Sequence, residues 1–174
     1  LKNISDDELI INKLSCHLGS AMEIEEKYVT PAAAQNIIIK KKNENNSKSL
    51  FSLKEEHNEE GKKFLKSLGL KENTWFVTLH IRDDSYRTFE NKENFRNAEI
   101  DDYLPAAKKI IDTGGFVFRV GHRGMKKIPS FEGIYDYANS EKKSELLDVF
   151  LGAKSKFCIA TSSGYYVIPS IFSV

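Results

Sequence analysis

Residues 75–87 read Trp75-Phe76-Val77-Thr78-Leu79-His80-Ile81-Arg82-Asp83-Asp84-Ser85-Tyr86-Arg87. The stretch opens as an unbroken apolar run and closes with five ionisable residues among its last eight positions. A continuous run predicts a strand over 75–81 with both faces covered, since a strand with one wet face would alternate. Its exit is the informative part. His80 and Arg82 are two residues apart, so an extended chain puts them on one side, with Leu79 and Ile81 on the other. Charge at a strand exit fits a solvated surface. It equally fits a ligand, because the planar guanidinium of Arg82 offers paired donors to phosphate or carboxylate.

Downstream the pattern repeats. Upstream of the strand, Ser52 and Glu55 have capping-box spacing, Leu53, His57, Gly61, Phe64, Leu65 and Leu68 share a helical face, and Gly69 supplies a stop. From Ile100, the positions Leu104, Ala107, Ile110 and Ile111 make a second helical stripe. Pro105 is tolerated there if it lies in the first turn. Gly114-Gly115 ends that helix and Phe116–Val120 is a second strand, closed by Gly121. A short strand over Ile134–Ala138, a helix capped by Ser140 with a Leu147-Phe150-Leu151 stripe, and a strand over Lys156–Ala160 follow. Thr161-Ser162-Ser163-Gly164 then leads into a further helix. Alternating strands and helices imply a parallel sheet: an α/β, Rossmann-like domain in which ligands sit beyond the carboxyl ends of the strands. Hydroxyls and a glycine at a helix start serve as an N-cap or as a phosphate cradle.

Residues 1–49 are set apart. Ser5–Glu8 reads as a helix start leading to Leu14, Pro31–Ile39 as a second helix or a strand, and 40–49 as a polar loop. The expected organisation is an N-terminal extension and linker over 1–49, belonging to an acceptor domain, and a donor-binding domain over 50–174. A chain that begins at Leu1 and stops just after an apolar stretch reads as an excerpt, truncated at its C-terminus.

The totals exclude several classes. With 26 Lys and Arg against 25 Asp and Glu, the net charge of +1 provides no field for gripping nucleic acid. No apolar run reaches the ~20 residues of a transmembrane helix. Cys16 and Cys158 are far apart and lack metal-site spacing, as plain thiols in a reducing, cytoplasmic setting would be. Asp83-Asp84 is expected to pair with Arg82 and Arg87, and Asp101-Asp102 to cap a helix, so no divalent metal is expected. Gly121-His122-Arg123-Gly124 reads as a mobile loop that either borders a ligand or is plain surface, and Lys126-Lys127 as a solvated pair. The chain holds no Walker loop, dinucleotide fingerprint, nucleophile elbow or HExxH.

The ordered series LHIRD (79–83), FRNAEIDDY (95–103), GGFVFRVG (114–121), YDYA (135–138), LLDVFL (146–151) and KFCIATSSG (156–164) resembles a family of bacterial glycosyltransferases associated with surface polysaccharide. That family in turn resembles the O-fucosyltransferase and α1,6-fucosyltransferase group. The resemblance covers residues 50–174. It implies a GT-B arrangement whose C-terminal Rossmann-like domain binds a nucleotide sugar, with a glycan or lipid-linked acceptor and no metal cofactor. It also implies that Arg82 is the catalytic contact to the diphosphate and that His80 faces the nucleotide. Thr161, Ser162 and Ser163, with Gly164, would bind phosphate at a helix start, and Asp136 would lie near the base. Asp83, Arg96, Asn97, Arg119, Gly121 and Tyr137 lie in the same motifs and complete the implied substrate-binding set. Ser85 stands where the HxRxxD pattern has its acid, so the resemblance favours GDP as the nucleotide more than fucose as the sugar. A nucleotide-sugar epimerase or hydrolase, or a non-catalytic nucleotide-binding module, would carry similar phosphate-binding elements.

Overall fold

The computed structural model describes residues 22–24, 27–29, 40, 51–86 and 95–174. The chain divides into two compact units, Leu1–Lys48 and Ser49–Val174. In the first, β1 (Met22–Ile24) pairs antiparallel with β2 (Lys27–Val29), Met22 opposite Val29. Neither strand was expected. The helices read at Ser5–Leu14 and Pro31–Ile39 lie outside the described residues. So does the loop at 40–49, except for Lys40, which is helical and exposed.

The second unit is an α/β domain: α1 (Glu55–Ser67), β3 (Phe76–His80), α2 (Leu104–Asp112), β4 (Phe116–Arg119), β5 (Ile134–Tyr135), α3 (Glu145–Lys154), β6 (Cys158–Ala160) and α4 (Val167–Ile171). The four strands are parallel, in the order β5-β4-β3-β6. From β3 the chain moves out to β4 and β5, then returns to add β6 on the other side. The order therefore reverses beside β3, and this is the Rossmann-type switch point where a crevice opens at the carboxyl edge.

Every residue of β3 is buried, as its unbroken apolar pattern requires. Val77, Leu79 and Ile81 pack on one face with Val117, Ile100 and Ala107. Phe76 packs on the other with Phe118, Phe64, Phe150, Leu147, Leu151 and Tyr137. Helices α1 and α3 thus cover one face and α2 the other. Edge-to-face aromatic contacts order the larger cluster: Phe76 and Phe118 have ring centroids 5.1 Å apart at 84°, and Phe64 meets Tyr137 at 5.7 Å and 68°. Each fully buried Phe or Leu contributes about 1.5–3 kcal/mol. At Gly61 on α1, the Cβ of any other residue would fall 2.1 Å from the Phe150 ring, so this glycine sets how closely α1 and α3 approach.

The helix stops behave as the sequence predicts. Gly69, at φ +77°, ends α1 with Gly69 N–H on the Lys66 carbonyl and Leu70 N–H on the Leu65 carbonyl. Gly114, at φ +82°, ends α2 by the same pair of bonds, from Gly114 to Ile111 and from Gly115 to Ile110. Both are Schellman motifs, which need a left-handed residue at that position. Pro105 falls in the first turn of α2, where its missing N–H costs nothing.

Three helix starts differ from expectation. Lys54, not Ser52, is the N-cap of α1, and no side chain caps it. Ser144, not Ser140, caps α3: its hydroxyl accepts the Leu147 N–H at 3.2 Å, while Ser140 is held by the Tyr135 hydroxyl at 2.6 Å. The segment after β6 does not run straight into a helix, because α4 begins only at Val167 and has five residues. The expected strand at Ile134–Ala138 is two residues long and passes into a 3₁₀ turn over Tyr137–Asn139.

Candidate functional site

The strand exits converge as the parallel order dictates. Thr161 N–H donates to the His80 carbonyl at 3.1 Å and Val120 N–H to the Leu79 carbonyl at 3.0 Å, so the ladders run to the edge of the sheet. Beyond that edge lies a cavity of about 480 Å³. Its lining includes His80, Arg82 and Asp83 after β3, Gly121, His122 and Met125 after β4, and Ser163, Gly164 and Tyr165 after β6. Arg96 adds a second guanidinium, Lys143 comes from just before α3 and Asp148 from its first turn.

His80 forms the floor, 8% exposed. Its ring stacks on Tyr165, centroids 5.3 Å apart at 8°, and its Nδ1 lies 3.1 Å from the Ser163 hydroxyl. Burial drives its pKa down to about 4, helped by the positive charge of Arg119, so the imidazole is neutral at pH 7. Neutral, it offers one N–H donor and one acceptor, not a charge. Gly121, at φ +146°, brings the β4 exit against this ring: a Cβ there would sit 2.2 Å from the Met125 sulfur and 3.7 Å from His80 Cδ2.

Among the described residues Asp83 is held by Ser85 and Lys126, where pairing with Arg82 and Arg87 was expected; Arg87 lies outside the described residues. Asp83 Oδ1 accepts the Ser85 backbone N–H at 3.1 Å and the Ser85 hydroxyl, and its Oδ2 accepts the Lys126 N–H at 3.1 Å. Burial alone would raise its pKa, yet these bonds hold it below the usual carboxylate range. Ser85 also meets His122 Nε2 at 3.0 Å, so one carboxylate ties the β3 and β4 exit loops together. His122 is shifted down, chiefly by burial. Lys126, read from sequence as half of a solvated pair, bridges Asp101 at 2.7 Å and Glu99 at 3.3 Å, which takes Asp101 out of any cap.

On the opposite wall the ammonium of Lys143 pairs with the carboxylate of Asp148 and lies 5.3 Å above the Tyr137 ring. Burial raises the Asp148 pKa against the opposing pull of Lys143. No sequence motif announced Lys143, Met125 or Tyr165 as lining residues; Asp148 lies within LLDVFL with nothing there to single it out, and His122 lies in the loop read as either bordering a ligand or plain surface. The only available signal was topological: the N-terminal turn of the helix before β6 must approach the carboxyl edge.

Among the expected substrate-binding residues, His80, Arg82, Asp83, Arg96, Gly121, Ser163 and Gly164 line the cavity together. Thr161 stands behind it, its Oγ1 accepting the Arg82 backbone N–H at 2.8 Å. Ser162 is exposed and outside the lining. The others are not brought there. Arg119 is fully buried, its Nη1 2.9 Å from Asp136 Oδ1 and its Nη2 donating to the Lys126 carbonyl at 3.0 Å. Asp136 is further tied to Asn139 and borders a separate cavity of about 270 Å³ beyond β5. Tyr137 is a core residue whose hydroxyl donates to the Ser144 carbonyl and accepts the Ser144 N–H. Asn97 is partly buried and absent from the lining. The phosphate cradle expected from Thr161–Gly164 at a helix start is not formed, because these residues are a turn three residues short of α4.

Among the described residues, no cluster of three His, Cys, Asp or Glu side chains is placed to hold a metal. No helix among them is long and apolar enough to cross a membrane. No protein-family model, curated protein or solved structure matches the chain.

Proposed function

We propose that residues 50–174 are the donor-binding domain of a GT-B glycosyltransferase, taking a nucleoside-diphosphate sugar, with GDP as the favoured nucleotide, and passing the sugar to a glycan or lipid-linked acceptor. The observation that carries this reading is the cavity at the switch point, which gathers Arg82, Arg96 and the Lys143–Asp148 pair around a neutral His80. The resemblance of the ordered motifs between Leu79 and Gly164 supplies the reaction class.

In such a transfer the bond between the anomeric carbon and the β-phosphate oxygen breaks, and its electron pair leaves with the nucleoside diphosphate. The acceptor oxygen forms the new bond and releases its proton. Charge grows on the departing phosphate, so cations fixed in advance lower the barrier. Arg82 suits that position, because its planar fork can bond two phosphate oxygens at once. Because Thr161–Gly164 is not a helix start, the anion grip rests on side-chain cations, not on a helix dipole. His80, held by Ser163 and Tyr165, presents a fixed hydrogen-bonding edge in place of a mobile charge.

The test is an assay of free nucleotide release from GDP-, UDP-, ADP- and CMP-sugars, with and without a mixture of glycan acceptors. Acceptor-dependent release from a GDP-sugar is expected. Release that ignores the acceptor identifies a hydrolase, and release from none of the donors removes the enzymatic reading.

A further inference from the structure

We propose that Thr161 is a positioning residue for Arg82 and not itself a ligand of the phosphate. This rests on the reading of Arg82 as the diphosphate contact. The hydroxyl of Thr161 belongs to a turn that touches both functional residues of the β3 exit. Its Oγ1 accepts the Arg82 backbone N–H at 2.8 Å, and its own backbone N–H donates to the His80 carbonyl at 3.1 Å. Two residues on, Ser163 meets His80 Nδ1, and Tyr165 stacks on the same imidazole.

Arg82 lies two residues beyond the end of β3, where the ladder to β6 has run out. A backbone N–H at that point has no strand partner, and a partly buried donor left unpaired costs free energy. The Thr161 hydroxyl extends the ladder by one rung, made by a side chain. That rung holds the Arg82 N–H while the Ala98 N–H holds its carbonyl at 3.0 Å, and together they set the direction in which the side chain leaves the sheet. The β5-β4-β3-β6 order is what makes this possible, since it places the exit of β6 directly against the exit of β3. Thr161 is absent from the cavity lining, whereas Arg82 and Ser163 are in it. A direct ligand would turn its hydroxyl to the cavity; the Thr161 hydroxyl is engaged by the Arg82 N–H instead.

A double-mutant cycle on the full chain separates the two roles, with inorganic pyrophosphate and GDP as probes in titration calorimetry. Thr161→Val keeps the shape and loses the acceptor; Thr161→Ser keeps the acceptor. Positioning predicts that Thr161→Val weakens binding on the order of tenfold, the loss of one well-placed bond, and that Thr161→Ser restores it. It further predicts that Thr161→Val costs nothing more once Arg82 is already alanine. An equal loss from Thr161→Val in both backgrounds makes Thr161 a direct ligand and overturns the proposal. The exchange rate of the Arg82 amide, read by NMR, gives a check that needs no ligand: slow in the unaltered chain and in Thr161→Ser, fast in Thr161→Val. Unchanged exchange in Thr161→Val overturns the proposal. If the unaltered chain binds neither probe, the donor-site reading fails on its own, and the amide exchange still decides whether Thr161 holds Arg82.

Discussion

Replacing Gly61 by alanine should destabilise the domain, although helix propensity alone predicts the reverse. Gly61 lies inside α1, where alanine is favoured over glycine by about 1 kcal/mol. A Cβ at this position would sit 2.1, 2.2 and 2.3 Å from three atoms of the Phe150 ring. Phe150 is 2% exposed and belongs to the buried cluster of Phe64, Phe118 and Leu151, where packing leaves little room for its ring to move. Overpacking of a tight core costs about 1–3 kcal/mol, and overlap this deep belongs at the upper end. The net expectation is a loss of about 2 kcal/mol, or about 4–8 °C in the midpoint of thermal unfolding. Urea unfolding of the unaltered chain and of Gly61→Ala measures it. Phe150→Leu should partly relieve the clash, so the double variant should be more stable than the two separate losses imply, by about 1 kcal/mol. Gly69→Ala is the control: a Cβ there meets nothing within 4 Å, φ is +77°, and its cost of about 1–2 kcal/mol should be independent of Phe150. A stabilising Gly61→Ala would refute the α1–α3 packing. With it would go the placement of Lys143 and Asp148, which α3 carries to the cavity.

Other consequences follow from the site. Because the His80 pKa is about 4 in the fold against 6.5 for an ordinary histidine, the unfolded chain binds the extra proton between those values. Stability therefore rises with pH through that window: the contribution of neutral His80, about 3 kcal/mol, is complete above pH 6.5 and gone below about pH 4. His80→Gln should flatten this part of the pH dependence of urea unfolding, and a curve that stays parallel to the unaltered chain contradicts the buried neutral imidazole. Arg82→Ala should cut sugar transfer by about 10²–10³-fold with the circular dichroism spectrum unchanged. Arg82→Lys should recover only part of it, since a point charge cannot reproduce a bidentate bond; full activity in Arg82→Ala returns the residue to the solvated surface. Nucleotide affinity should be the same with and without EDTA, because the Asp83 oxygens are already engaged by Ser85 and Lys126. A loss beyond about tenfold on chelation would show that a divalent ion is required.

The sheet was legible because its signal is carried by long apolar runs and by glycine. The run at 75–81 has a single physical solution, a strand covered on both faces, and Gly69 and Gly114 sit where only a left-handed residue closes a helix. The caps were harder to read. Ser52 and Ser140 each have plausible cap spacing, and what separates Ser140 from Ser144 is a tertiary fact, the Tyr135 hydroxyl that takes Ser140 away. The His80-x-Arg82 pair could be placed on one side of β3 from its period alone. The destination of Asp83 could not, because its partners Ser85 and Lys126 come together only when the β3 and β4 exits meet. Arg119 and Asp136 entered the implied site through the resemblance of their motifs, yet the structure pairs them with each other away from the cavity. The Lys143–Asp148 wall lay in a stretch whose apolar stripe drew attention to the opposite side of the same helix.

The central claim is that the cavity at the carboxyl edge of β3 takes a nucleoside diphosphate. Thermal unfolding of the chain in the presence of GDP, UDP, ADP or CMP tests it most directly, repeated on Arg82→Ala. A ligand at about 100 times its dissociation constant stabilises the fold by about 2.7 kcal/mol, which for a domain of this size is a rise of roughly 5–10 °C. The account predicts such a rise with GDP, little with CMP, and its loss in Arg82→Ala. No rise with any of the four, or a rise that survives Arg82→Ala undiminished, contradicts it.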